Sequence, residues 1–434
     1  MIRILATLSA LMLVALPLRA ATDIQKVTSP GGIIAWLVEE PSIPMVAFRF
    51  SFQGGAAQDT PEKLGATNLM VGLLEEGAGG LNATQFAERA DELGARFGFD
   101  TGRDSVSISA SMLTRNLDES AALLRVALVD QRFDEVAFER VRGQVNSGLR
   151  SQKTDPQSIA GNTLREMVFP DHSYGRSTDG TLETVAALTP DDMRVAHHAA
   201  LGRNNVMIGV VGDITPEALG VLLDALLGDL PDNTTDTVPD VTPVLEAGVR
   251  VVDFATPQSV VVFAQPGLMR DDPDYLAAYV LNHIVGGRSS TARLNVEVRE
   301  KRGLTYGISS FLLPYQHAAL FMGHFNSGND TVAEALAIVQ GEWAKVAASG
   351  ITAEELETAK RYLTGAYPLR FDGNAEIAGI LAGLQVAGLP ITYVADRNDL
   401  VDALTLDEIN RVAARLYQPE KLRFVVVGQP EGLE

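Results

Sequence analysis

The 434-residue sequence contains no cysteine. Disulfide staples, thiolate metal sites and thiol nucleophiles are excluded with it. Basic residues are scarce too: 35 Lys and Arg stand against 55 Asp and Glu, a net charge of −20. Such a surface repels phosphate backbones, so nucleic acid is excluded as a partner class and the charge is read as solubilising. Long apolar runs are missing beyond the first residues. Residues 4–16 are almost wholly apolar, follow Arg3 and lead to Ala20 and Ala21. That run falls short of the ~20 residues a bilayer span needs. It reads as a secretory signal peptide over residues 1–20, with an uncleaved anchor as the rival reading. An export signal without cysteine points to a bacterial periplasmic protein with no membrane span once the signal is removed. Histidine is sparse, with six in the chain. His197 and His198 are adjacent and would face different sides of a helix. His172, His283, His317 and His324 are scattered, and none pairs with a carboxylate at a ligand spacing.

What is present fits an ordinary globular core, at 46% apolar and 21% charged residues. The mature chain reads as a duplication. Thr189 opens a helical stretch that leads to an apolar strand at 206–211 and then Gly212. Thr405 opens a similar stretch, 216 residues later, that leads to a strand at 424–427 and Gly428. In both, a threonine caps a helix whose first turn is acidic. Residues 133–150 and 351–370 form a second matching pair of charged, helical segments ahead of those units. A period this long indicates duplicated domains, since solenoid repeats run to ~20–50 residues. Residues 231–243 are rich in Pro, Asp and Thr and read as a linker. The expected division is a signal at 1–20, a first domain at 21–232, a linker at 233–248 and a second domain at 249–434. Short strands are expected at 45–52, 105–110, 249–254, 259–263 and 308–313. Ala122, Leu123, Val126 and Val129 share one face of a helix at 119–129. Strands and helices mix without strict alternation. The fold class is α+β, two homologous domains, each a mainly antiparallel sheet with helices packed on it.

Two segments carry the functional reading. Residues 60–77 read Thr-Pro-Glu-Lys-Leu-Gly-Ala-Thr-Asn-Leu-Met-Val-Gly-Leu-Leu-Glu-Glu-Gly. Pro61 and the periodic Leu69, Leu73 and Leu74 predict a buried helix that stops at Gly77. Residues 286–310 begin Gly-Gly-Arg-Ser-Ser and continue through Leu294, Val298, Arg299, Gly303 and Tyr306. Here the spacing predicts a helix capped by Ser289 or Ser290, with Leu294 and Val298 buried, cations in its last turn and a left-handed Gly303 at its end. A strand over 304–311 follows. On that account Arg299 is a helix-end charge and Tyr306 a strand residue.

In this layout the chain resembles the inverted-motif zinc peptidases: pitrilysin, insulinase and the mitochondrial processing peptidase. These carry His-x-x-Glu-His on the first helix. Two histidines at i and i+4 grip one zinc, and the glutamate is general base on its water. Laid on this chain, the histidines fall on Asn68 and Gly72, the glutamate on Val71 and the downstream ligand on Gly148. The resemblance therefore implies a non-catalytic subunit with no metal of its own, the zinc being expected in a homologous partner subunit. It further implies that Arg299 and Tyr306 reach across to the partner's zinc site as donors to the scissile carbonyl. Gly286 and Gly287, with Arg288, coincide with a glycine-rich substrate segment, although a plain turn also accounts for them. Two other readings stay open: a structural or chaperone-like scaffold, as the core proteins of respiratory complex III resemble this family, and a self-sufficient zinc peptidase.

Overall fold

A computed structural model describes residues 23–233 and 238–433. The expected signal at 1–20 lies outside the described residues, as does the part of the expected linker at 234–237. Thirteen strands are labelled here in chain order. The first sheet is built from β1 (Gln25–Thr28), β2 (Ile34–Glu39) and β3 (Met45–Gln53), and from β6 (Arg96–Thr101), β7 (Ser105–Leu113) and β8 (Val206–Gly212). A two-residue hairpin, β4 (Gly77–Ala78) and β5 (Leu81–Asn82), stands apart. The second sheet takes β9 (Gly248–Asp253), β10 (Gln258–Pro266), β11 (Ile308–Pro314), β12 (Ala319–Gly328) and β13 (Arg423–Gly428). Strand order is β1-β2-β8-β3-β7-β6 in one and β11-β12-β10-β13-β9 in the other. Each sheet is antiparallel except for one parallel pair, β2 with β8 and β9 with β13. Those pairs occupy matching places, so the sheets repeat one plan with β1 as an addition.

The duplicated units form as the sequence indicates. Thr189 and Thr405 each cap their helix, Pro190–Ala200 and Leu406–Leu416, through a reciprocal box with Asp192 and Glu408. These boxes satisfy N–H groups that the first helical turn leaves without partners. In β3, Val46, Phe48, Phe50 and Phe52 face the main core of the first half, and in β10 Val261 and Phe263 face that of the second.

The opposite face of each sheet is covered by a helix from the other half. Helix Asn374–Val386 lies on the first sheet, where Ala378, Leu381 and Leu384 pack against Trp36, Val38, Ala47 and Val211. Helix Pro156–Val168 lies on the second, where Ala160, Leu164 and Val168 pack against Val260, Val262, Val425 and Val427. Contact is close enough to dictate a residue: a Cβ on Gly209 of β8 would stand 2.1 Å from the Ala378 carbonyl oxygen. Gln385 Nε2 also donates to the Ile208 carbonyl at 2.8 Å. The chain from residue 238 onward is tied down as well. Val241 N–H donates to the His317 carbonyl and Val244 N–H to that of Val168, both at 2.9 Å, and Leu245 is buried.

Candidate functional site

Residues 60–77 do not form one helix. A 3₁₀ turn, Pro61–Lys63, is followed by Gly65 at φ 90°, and the helix proper is Ala66–Val71, capped by Gly72. Left-handed Gly65 breaks the first turn from the second, and Leu73 and Leu74 continue only as turns. The entry is held by Asp59, whose carboxylate accepts from Gly65 N–H at 3.0 Å and from the Thr67 hydroxyl at 2.6 Å. Burial outweighs those bonds and raises its pKa to about 6.

Helix Ala66–Val71 tests whether these residues suit a zinc. Asn68 is half-buried, and Val71 is sealed in the main core of the first half. Gly72 is exposed but lies under helix Glu135–Gln152: a Cβ there would stand 3.1 Å from Val141 Cγ1. Gly148, farther along that helix, faces open space. One amide is the only donor these four side chains offer, where a catalytic zinc takes about three protein ligands. The residues do not fit the metal. Among the described residues, no group of three or more His, Asp or Glu is arranged to hold a metal ion elsewhere.

The second segment builds a cleft of about 360 Å³. Helix Tyr275–Gly286 ends on its two glycines. A Cβ on Gly286 would meet Ser310 Oγ at 1.9 Å, and one on Gly287 the His283 carbonyl at 2.7 Å. Both glycines are buried packing positions beneath the cleft and are not among the residues that line it. Arg288 follows and does line it, with Arg299 and Tyr306. Arg299 lies in a single wide π-turn, Asn295–Glu300, a geometry that recurs at functional sites. Asn295 anchors the turn: its Nδ2 donates to the Ser289 carbonyl at 3.0 Å, and its Oδ1 accepts from Ile308 N–H at 3.3 Å.

Gly303 adopts φ 66° as expected, but the strand starts later than expected, at Ile308. Thr305 Oγ1 accepts from Gly307 N–H at 3.1 Å and donates to its carbonyl at 2.9 Å. That local turn keeps Tyr306 off the ladder and leaves it 89% exposed.

The cations at this helix end are not equivalent. Glu297 pairs with Lys301 at 2.6 Å and Arg302 at 2.8 Å, and Arg293 grips Glu355 at 2.6 and 2.7 Å. Arg288 and Arg299 have no carboxylate partner among the described residues and face the cleft, where they can attract a developing negative charge. Two further lining residues, Asn295 and His324, escape sequence reasoning. Asn295 is signalled only by being polar at a buried helical position, and His324 only by its place on β12. Desolvation, then the nearby Arg288 guanidinium, lowers the His324 pKa, so at neutral pH it is an uncharged imidazole.

Comparison with known proteins identifies the family of both halves. Residues 35–182 match the family described as Insulinase (Peptidase family M16), and residues 187–363 match the description Peptidase M16 inactive domain. A Helicobacter pylori relative named "Non-peptidase homolog YmxG" is 24% identical over 392 residues, 90% of either chain. A Bacillus subtilis relative named "Uncharacterized zinc protease YmxG" is 23% identical over 395 residues, 91% of this chain and 96% of that one. The crystal structure of a peptidase M16 inactive domain from Pseudomonas fluorescens matches with a TM-score of 0.87 at 28% identity, covering 95% of this chain and all of that one.

Proposed function

Because this chain belongs to the insulinase (M16) peptidase family and is a non-catalytic member of it, we propose that it is the metal-free subunit of a heteromeric periplasmic zinc peptidase. Its partner is a homologous subunit that carries His-x-x-Glu-His and the zinc. This chain binds the peptide substrate and offers Arg299 and Tyr306 to the scissile carbonyl. The observation that supports this most is the state of those two side chains. They are exposed on one cleft, and neither is spent on an ion pair among the described residues, while neighbouring Lys301 and Arg302 are held by Glu297.

The chemistry follows from the groups. A peptide entering the cleft is oriented by Arg288 and Arg299. As its carbonyl carbon becomes tetrahedral, the oxygen gains charge, and the Arg299 guanidinium and Tyr306 hydroxyl donate to it. Water activation is left to the metal of the partner, since nothing at Asn68, Val71, Gly72 or Gly148 can supply it.

The test is reconstitution. The chain alone should be inactive, and mixing with the zinc-bearing homologue should give cleavage. Arg299→Ala with Tyr306→Phe should then lower kcat of the pair by about 10²–10³, the usual loss for an oxyanion donor. Unchanged turnover would favour a scaffold role, and full activity of the homologue alone would end the proposal.

A further inference from the structure

A second cavity, of about 450 Å³, lies where the exchanged helix Asn374–Val386 meets the second half. Four arginines line it: Arg49 from β3, Arg270, Arg370 and Arg397. None has a carboxylate partner among the described residues, in a chain whose acids outnumber its bases by 55 to 35. Arg397 is only 4% exposed. Its hydrogen bonds go to neutral acceptors, the Leu363 carbonyl at 2.8 Å and Asn398 Oδ1 at 3.1 Å. A buried guanidinium without an anion is costly, and a bound anion removes that cost.

Tyrosines hold two of these arginines in place. Arg270 stands 4.4 Å from the Tyr275 ring centre and 5.8 Å from that of Tyr393. Arg397 stands 4.5 Å from Tyr367 and 5.8 Å from Tyr279. Arg370 lies within electrostatic reach of Tyr367. Stacked guanidiniums are pre-organised and keep their N–H edges for a planar anion. Gly379 and Gly383, one turn apart, leave room along the helix. Leu276 and Ile380 add apolar wall, and Glu376 is the one carboxylate in the lining. The volume suits a small organic ligand.

We propose that this cavity binds the free carboxylate end of a short peptide, the carboxylate on the arginines and its last side chain against the tyrosines and apolar wall. A planar carboxylate matches the guanidinium fork. An inorganic anion would leave the apolar wall unused. The site is separate from the Arg299 cleft and does not depend on the proposal made for it.

The test is calorimetric titration of the chain with N-acetyl-Ala-Phe, its C-terminal amide and inorganic phosphate. The free acid should bind, and the amide should bind at least about tenfold more weakly. Arg270→Gln with Arg370→Gln should weaken binding by at least about tenfold. Gly383→Leu keeps the test sound if the arginine variant folds poorly: a Cβ there meets no atom within 4 Å, so the side chain should enter the cavity and abolish binding. Equal affinity for acid and amide would overturn the proposal, as would displacement of the peptide by equimolar phosphate. Wild-type affinity in the folded variants would do the same. So would loss of binding in Arg299→Ala, which would assign the peptide to the other cleft, or no binding by the wild type up to about 10 mM.

Discussion

The two exchanged helices, Pro156–Val168 and Asn374–Val386, start 218 residues apart and do the same work on opposite sheets. Gly161 and Gly379 fall at matching places. One turn later the helices diverge. The first carries Arg165 where the second carries Gly383. Arg165 is largely withdrawn from water, which lowers its pKa, and nearby Arg103 lowers it further. Arg103 in turn lies 5.7 Å from the Tyr174 ring and 5.9 Å from that of Tyr315. Both places therefore gather arginine and tyrosine, but the first helix carries a buried arginine where the second carries a glycine that lines an open cavity. The same contrast separates helix Ala66–Val71, where the family's ligand positions carry Asn68 and Gly72, from the cleft that keeps Arg299 and Tyr306. Duplication preserves the frame, and single residues decide what each place offers.

That comparison can be broken first through packing. Leu164→Ala and Leu381→Ala each empty a fully buried site on an exchanged helix. Each should cost about 2–5 kcal/mol in urea denaturation. Hydrogen exchange should rise across the interface: Leu381→Ala should loosen β3 and β8, and Leu164→Ala should loosen β10 and β13. Loosening confined to the mutated half would show that the exchange is not structural.

Next comes a pair of carboxylates whose pKa values are shifted in opposite directions. Asp59 of the first half is raised to about 6 by burial, whereas Asp274 of the second is lowered to about 2, chiefly by its hydrogen bonds to Arg411. Above pH 4 the unfolded chain releases the Asp59 proton while the folded chain keeps it, so this group costs stability as pH rises through 6. The stability of the wild type relative to Asp59→Asn should fall by about 2–3 kcal/mol from pH 4 to 7. Relative to Asp274→Asn it should move the other way, fully present above pH 4 and lost as pH falls toward 2. Parallel slopes for the two variants would contradict these environments.

The smallest effect is at Gly383. Replacement by Ala should stabilise the chain by about 1 kcal/mol in thermal unfolding, through helix propensity alone. A loss would mean that the helix needs the glycine for contact as well as for room.

Much of this frame can be read in the sequence, for physical reasons that differ by element. Threonine caps with acidic first turns mark the repeated helices, β-branched runs mark β8, β10 and β13, and alternating phenylalanines mark β3. Strand β12 is harder to read because Gly323 and Gly328 depress its strand signal. Yet Gly323 is there for packing: a Cβ would stand 2.1 Å from the Phe263 ring. Strand β6, Arg96–Thr101, is hidden in the same way by Gly98. The place of helix Asn374–Val386 is not legible at all. Its Ile377, Ile380, Leu381 and Leu384 declare an apolar helix, but periodicity does not say which sheet it covers. The cleft is legible by residue type at Arg299 and Tyr306. Their freedom is not, because it depends on Glu297 taking Lys301 and Arg302 and on the Thr305 turn.

The crossing of the two helices also sets a timetable. A chain grows from its N-terminus, so the face of Trp36, Val38, Ala47 and Val211 is made early and its cover among the last parts. For most of synthesis one side of the first sheet has nothing to rest on, and contacts more than 300 residues apart in the chain must close before the first half is finished. A product that stops before residue 374 leaves that apolar face without its cover, which makes it an adhesive fragment rather than half a protein.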